Sequence, residues 1–209
     1  MRAEHSPSEV PPVPDTGEED RYLIREFLSQ RGTPGEAGGA FDKLVMKYRD
    51  RIFSLCCRML GDYEEANDCS QEVFIKVYRG LEGFKFQSHF STWLYRIAVN
   101  TCKNQLGSRA HRDREKTLGF NHTASNAEYS FEPGSVAENP ERLFERSETE
   151  RTVQRAIKTL PAQQRLLVLL RDIEGRPYEE ISSLTGIALG TVKSRLNRAR
   201  EQLKSLLKA

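Results

Sequence analysis

The twenty residues from Gly190 to Ala209 constrain this chain more than any other stretch, because they combine a narrow apolar stripe with six cationic side chains and one anionic one. At 100° per residue, Val192, Leu196, Ala199 and Leu203 fall within about 60° of one another, while Lys193, Ser194, Asn197 and Arg198 cluster on the opposite side. The spacing predicts a helix that packs with one face and meets something negative with the other. Immediately upstream, EEISSLTGIA carries a short helix pattern broken at Thr185-Gly186, so the pair reads as a helix-turn-helix whose second helix enters a DNA major groove.

The net charge of the 209-residue chain is only +2, but its distribution is uneven. Residues 1–39 carry 4 cationic and 8 anionic side chains, and residues 40–113 carry 12 and 9. Residues 114–147 carry 4 and 6, and residues 148–209 carry 12 and 7. Two basic blocks separated by an acidic one suit two DNA-contacting modules joined by a linker. The longest apolar runs, such as Leu166 to Leu170, are too short to span a bilayer, and the N-terminal residues lack the apolar core of a secretory signal. A cytoplasmic protein without membrane insertion is expected.

Helix-period patterns fill most of the chain and no strand pattern of any length appears, so the expected fold is all-α. Residues 1–38, rich in Pro, Gly, Glu and Asp, read as a largely disordered acidic tail with room for a short helix at Tyr22 to Gln30. Phe41, Leu44, Val45, Tyr48, Ile52, Leu55, Cys56 and Met59 then mark a long amphipathic helix ending near Gly61. Asp62 caps a second helix with Ala66, Cys69, Val73, Val77 and Leu81 inward. Its outward face gathers Asp68, Gln71, Glu72 and Ile75, either a protein-contact patch or an ordinary surface with one exposed Ile. Ser91 reads as the N-cap of a third helix, with Leu94, Ile97, Ala98, Thr101 and Cys102 inward. Its reverse arc carries Trp93, Arg96, Asn100, Lys103 and Asn104, which suits unstacked bases and phosphates, or equally a solvated face with Trp93 tucked inward.

The polar stretch from Ser108 to about Arg146 is linker. Helix patterns resume with Val153, Ala156, Ile157 and Leu160, then Leu166, Leu167, Leu170 and Ile173; Gly175 ends that helix and Pro177 opens the next. Cys56, Cys57, Cys69 and Cys102 show no C-x-x-C spacing and no nearby His pair. They read as reduced, inert core thiols rather than redox or metal-sensing groups, and no metal or cofactor is expected.

Three blocks carry a resemblance: QEVFIKVYRGL (Gln71 to Leu81), STWLYRIAVNTCKNQL (Ser91 to Leu106), and YEEI followed by GTVKSRLNRAR (Gly190 to Arg200). In this order, with a polar linker between, they resemble the extracytoplasmic-function sigma factors of bacterial RNA polymerase. The third-helix wording and NPERL (Asn139 to Leu143) look most like the envelope-stress, sigma-E type. The resemblance implies two small helical domains and a flexible linker: sigma region 2 over residues 39–110, linker over 111–146, and region 4, the helix-turn-helix, over 147–209.

It also implies a promoter-specificity subunit of core RNA polymerase with no catalytic residues of its own. Asp68, Gln71, Glu72 and Ile75 would dock on the clamp helices of the largest subunit, with region 4 at the flap. Lys85, Ser88 and His89, with Trp93, Arg96, Asn100, Lys103 and Asn104, would hold the opened −10 element. Lys193, Ser194, Asn197 and Arg198 would face −35 base edges, with Thr191, Arg195 and Arg200 nearer phosphates. An anti-sigma partner would clamp between the domains. Phe86, Gln87 and His89 are bulkier than the family's usual Gly and small polar residues in this loop. Two rival readings are a stand-alone DNA-binding regulator and a thiol-based redox protein built on Cys56 and Cys57.

Overall fold

The computed structural model describes residues 17–30, 38–117 and 151–208. Every regular element among the described residues is helical. The first unit contains α1 (Gly17–Gln30), α2 (Gly38–Leu60), α3 (Tyr63–Gly80) and α4 (Phe90–Thr117). The second contains a helix over 151–159 (α5), α6 (Ala162–Val168), α7 (Tyr178–Thr185) and α8 (Leu189–Leu206).

Local chemistry accounts for the boundaries. The Asp62 carboxylate accepts from the Glu65 amide at 2.9 Å and starts α3, as its sequence position predicts. Gly61 at φ 76° ends α2, and its amide closes on the Cys57 carbonyl. Ser91 does not cap α4: the helix begins at Phe90, and the Trp93 amide bonds the His89 carbonyl, so Ser91 lies inside the first turn.

Helix α1 occupies part of the stretch expected to be mostly tail, starting five residues before the anticipated Tyr22. Leu23, Ile24 and Phe27 are buried, and Phe27 joins Phe41 of α2 and Tyr78 of α3 in an aromatic triangle with centroids 5.1–5.6 Å apart. Asp20, 3% exposed, accepts from the Tyr48 hydroxyl and from Lys47 Nζ, both at 2.6 Å, and Lys47 also pairs with Glu19. A carboxylate in the first turn of a helix with two donors, the buried Tyr48 hydroxyl and the half-buried Lys47 amine, satisfies both the dipole and its own lone pairs. Residues 1–16, 31–37 and 118–150 lie outside the described residues; of the linker expected over 111–146, residues 111–117 instead continue α4.

In α2 the buried series Ala40, Leu44, Tyr48, Ile52, Leu55, Cys56 and Met59 follows the predicted stripe, while Phe41 and Val45 sit at its margin. Helix α4 is buried more broadly than its stripe predicts: Tyr95 and Val99 are inaccessible along with Leu94, Ala98, Thr101 and Cys102. The reason is a second covering. Helices α2 and α3 pack on one side of α4, and α7 packs on another.

In the second unit, Leu166 to Leu170 are all buried. A straight α-helix would turn part of such a run outward, but Leu169–Ile173 widens into a π turn, closed by Glu174 and Arg176 amides on the Leu169 and Leu170 carbonyls. Gly175 at φ 67° then reverses the chain. Gly186 at φ 71° makes the tight turn between α7 and α8, reinforced by the Ser182 hydroxyl on the Ile187 carbonyl at 2.7 Å. Val192, Leu196 and Ala199 anchor α8; burying each of the two larger side chains contributes about 1.5–3 kcal/mol.

Candidate nucleic-acid and protein interfaces

On α3, Asp68, Gln71, Glu72 and Ile75 are all exposed and share one face, with Ile75 at 49% exposure. Glu72 pairs with Lys76 at 2.7 Å along the helix. The face opposite the buried Ala66, Cys69, Val73 and Val77 is therefore a mixed acidic and apolar surface with no packing role in this unit.

On α8, Lys193, Ser194, Asn197 and Arg198 are exposed, as their angle from the core stripe requires. Lys193 Nζ lies 5.7 Å from the Tyr178 ring centroid, and Ser194 donates to the Thr191 carbonyl of its own helix. Two neighbours differ from the expected phosphate-facing role. Arg195 is half-buried and donates to Gln163 Oε1 at 2.6 Å, and Arg200 forms a two-pronged pair with Asp172 of the π turn. The Asp172 carboxylate holds the Arg200 guanidinium above its ordinary pKa. These two arginines brace α8 against the unit. Thr191 is half-buried in the first turn of α8.

The loop and helix expected to meet single-stranded DNA are arranged less openly. Lys85, Ser88 and His89 are exposed. Trp93 is half-buried, its ring against Phe84 at 5.2 Å and Phe90 at 5.9 Å, and Gly80 lies under it with no room for a Cβ to spare. The inward alternative for Trp93 thus describes it better than a free stacking platform. Phe86 adopts φ 56°, a left-handed backbone that favours glycine. It stacks on Phe84 at 5.0 Å and lies under Arg25 of α1. Asn100 and Asn104 face solvent.

Arg96 and Lys103 do not stand free. Arg96 Nη2 donates to Ser183 Oγ at 3.3 Å, and Lys103 Nζ donates to the Thr185 carbonyl at the end of α7 at 3.3 Å. Burial there pulls the Lys103 amine below its ordinary pKa. The same stripe of α4 supplies Thr92, which donates to Glu180 at 2.7 Å, and Tyr95, whose hydroxyl donates to Glu174. Arg176 covers the Tyr95 ring at 4.2 Å and pairs with Glu180. Burial, then the Glu174 carboxylate, push the Tyr95 phenol above its ordinary pKa. A second bridge joins the units where Arg165 of α6 donates to the Met59 carbonyl near the end of α2 at 2.7 Å. Sequence reasoning missed this contact because its partners are 79 to 106 residues apart.

Cysteines read as separate core thiols also converge. Cys56, Cys69 and Cys102 bring their sulfurs together, whereas Cys57 stays apart and half-buried, where burial pushes its thiol up to about 11.

Residues 44–112 match Sigma-70 region 2 and residues 150–203 match Sigma-70, region 4. The chain is 42% identical over 195 residues to the RNA polymerase sigma-H factor of Pseudomonas aeruginosa, covering 92% of this chain and 95% of that one. It is 40% identical over 184 residues to the ECF RNA polymerase sigma-E factor of Escherichia coli K12, covering 87% and 93%. Among solved structures, its fold is similar to the sigma factor RpoE in complex with the anti-sigma factor NepR from Bartonella quintana. There the TM-score is 0.64 at 22% identity, over 81% of this chain and 97% of that one. CnrH in complex with the cytosolic domain of CnrY gives 0.56 at 21% identity, over 91% and 97%.

Proposed function

The chain belongs to the extracytoplasmic-function sigma factors of bacterial RNA polymerase, and from that premise we propose how its surfaces divide the work of directing the enzyme to promoters. The observation that carries the reading is the exposed set Lys193, Ser194, Asn197 and Arg198 on the second helix of a helix-turn-helix. Lys and Arg donate to guanine acceptors in the major groove, and Asn and Ser read more permissively. This face selects the −35 element.

Region 2 spans 39–110 with α4 continuing beyond it, and region 4 spans 147–209, joined by the linker over 111–146. The α3 face of Asp68, Gln71, Glu72 and Ile75 docks on the polymerase clamp helices, and region 4 meets the flap. Helix α4 and its preceding loop hold the melted −10 strand, with Asn100, Asn104, Lys85, Ser88 and His89 on its exposed side. Arg96 and Lys103 join only after α7 leaves. Melting is capture of exposed bases: about 1–3 kcal/mol of stacking per held base offsets unpairing, without nucleotide hydrolysis.

The bonds between α4 and α7 support a closed conformer in which region 4 masks part of the −10 face. Core polymerase, holding the two regions apart, opens it. An anti-sigma partner seated between the regions would cover the α3 patch and both DNA faces. The sigma-E names of relatives support a stress-response role, and work as a specificity subunit of core polymerase supports a cytoplasmic location and action without catalytic groups of its own. No described helix is long and apolar enough to cross a membrane.

The test is in vitro transcription with core polymerase on a promoter library, which should recover a two-element consensus. Asp68→Lys with Glu72→Lys should weaken core binding at least tenfold by fluorescence anisotropy while leaving the helical circular dichroism unchanged. Undiminished core binding would remove the docking assignment. Tight, polymerase-independent binding of a palindrome would instead favour a stand-alone regulator.

A further inference from the structure

Cys56 on α2, Cys69 on α3 and Cys102 on α4 come from three different helices and meet in the interior, at 0%, 2% and 0% exposure. The Cys102 sulfur lies 3.7 Å from each of the other two, and all three sulfurs lie within 4.8 Å of one another. Buried thiols often serve as small apolar side chains. Three of them converging on one point is also the donor set of a trigonal site. With a metal–sulfur length of about 2.3 Å, three sulfurs in a plane around an ion sit about 4.0 Å apart, and a pyramidal arrangement draws them closer. The observed spacing needs little adjustment to either.

The donor chemistry narrows the occupant. No imidazole or carboxylate joins the three sulfurs among the described residues, and their burial leaves no wet fourth position, so the tetrahedral set that zinc prefers is incomplete. Soft ions that accept three thiolates remain. Charge decides among these. Three thiolates around a monovalent ion would bury a net −2 charge in an apolar core, whereas around a trivalent ion the complex is neutral.

We propose that Cys56, Cys69 and Cys102 form a tris-thiolate site for trivalent arsenic or a heavier ion of the same group. Arsenite reaches it as neutral As(OH)3: three S–H and three As–O bonds break, three As–S bonds form, and the released protons and hydroxyls combine and leave as three waters. No electrons are exchanged and no charge is left in the core. Cys69, the least enclosed of the three, is the point of entry. The bound ion staples α2, α3 and α4, the helices that carry the polymerase patch and the −10 face. The site stands on its own geometry, and its test does not depend on the assignment of those surfaces.

The experiment titrates full-length, reduced protein with arsenite under anaerobic conditions. Native mass spectrometry should show one adduct, heavier by one arsenic less three hydrogens, and the thermal midpoint should rise by about 5 °C or more at saturation. Arsenic X-ray absorption on the unaltered chain should show three sulfurs and no oxygen. Cys69→Ala and Cys102→Ala should each abolish that adduct, and Cys57→Ala should retain it. Should either cluster variant fail to fold, the absorption measurement on the unaltered chain decides alone. Retained oxygen, two sulfurs only, loss of the adduct in Cys57→Ala, or trigonal capture of Cu(I) with no arsenite uptake would overturn the proposal.

Discussion

The two basic helices differ in access. The α8 face proposed to read the −35 element is open along Lys193, Ser194, Asn197 and Arg198, while the arc of α4 proposed to hold the −10 strand is divided. Asn100 and Asn104 are free to solvent, but Arg96 and Lys103 bond to α7. Helix α7 therefore works on two sides. It supports α8 through the Gly186 turn, and it covers α4 with Glu180, Ser183 and the Thr185 carbonyl. Under the proposed assignments the contrast teaches an order of events: the face proposed to read duplex DNA is available in the closed conformer, and the full face proposed to hold the single strand is not.

The largest effect that probes this contrast comes from the open face. Lys193→Ala with Arg198→Ala should lower promoter binding by holoenzyme about a hundredfold, at about 1–3 kcal/mol per lost base contact. Core polymerase affinity should not change, because neither residue belongs to the α3 face proposed to dock on the clamp helices. Electrophoretic mobility shifts with assembled holoenzyme, beside anisotropy with core enzyme alone, separate the two. Loss of both activities together would mean that α8 is not an independent surface.

A smaller effect should come from releasing the covered face. Glu174→Gln with Glu180→Gln weakens the bonds to Tyr95, Thr92 and Arg176 without touching either DNA-facing set. Charge-assisted bonds of this kind contribute about 1.5–3 kcal/mol in folded proteins, much of it offset by solvation when the contact opens. The free protein should then bind a single-stranded −10 oligonucleotide about fivefold more tightly, and its radius of gyration by small-angle scattering should increase. If the radius and the affinity both stay as before, α7 is not what limits access to α4.

What was legible in the sequence follows from range. The stripes of α2, α3 and α8, the Asp62 cap and the Gly186 turn all depend on neighbours within one or two helical turns, and each is present. So is the exposure of the Asp68 to Ile75 face, which is the geometric complement of a buried stripe. Burial of Tyr95 and Val99 was not legible, because the helix that covers them lies about eighty residues away. The same holds for Asp20. An acid in the run Glu18 to Asp20 reads as solvated until Lys47 and Tyr48 are brought beside it. Cys56, Cys69 and Cys102 share no local spacing, so only three-helix packing reveals them as one group. Phe86 defies its turn outright: a left-handed Phe costs about 1–2 kcal/mol, offset by contacts with Phe84 and Arg25 that no local rule foresees.

The smallest effect tests where the α8 face stops. Arg200 reads from sequence as a phosphate contact, yet its guanidinium is paired with Asp172 and its side chain is partly enclosed. A cation already engaged with a carboxylate releases no counterion on binding DNA, so it adds nothing to the salt dependence. Arg200→Ala should cost about 0.5–1 kcal/mol of stability in urea denaturation, the range of a partly exposed pair, and leave the slope of log affinity against log salt unchanged. Arg198→Ala, by contrast, should relax base preference at one position of the element while leaving stability intact. A salt slope reduced by about one in Arg200→Ala would mean that the Asp172 pair breaks on DNA, extending the reading face one further turn along α8.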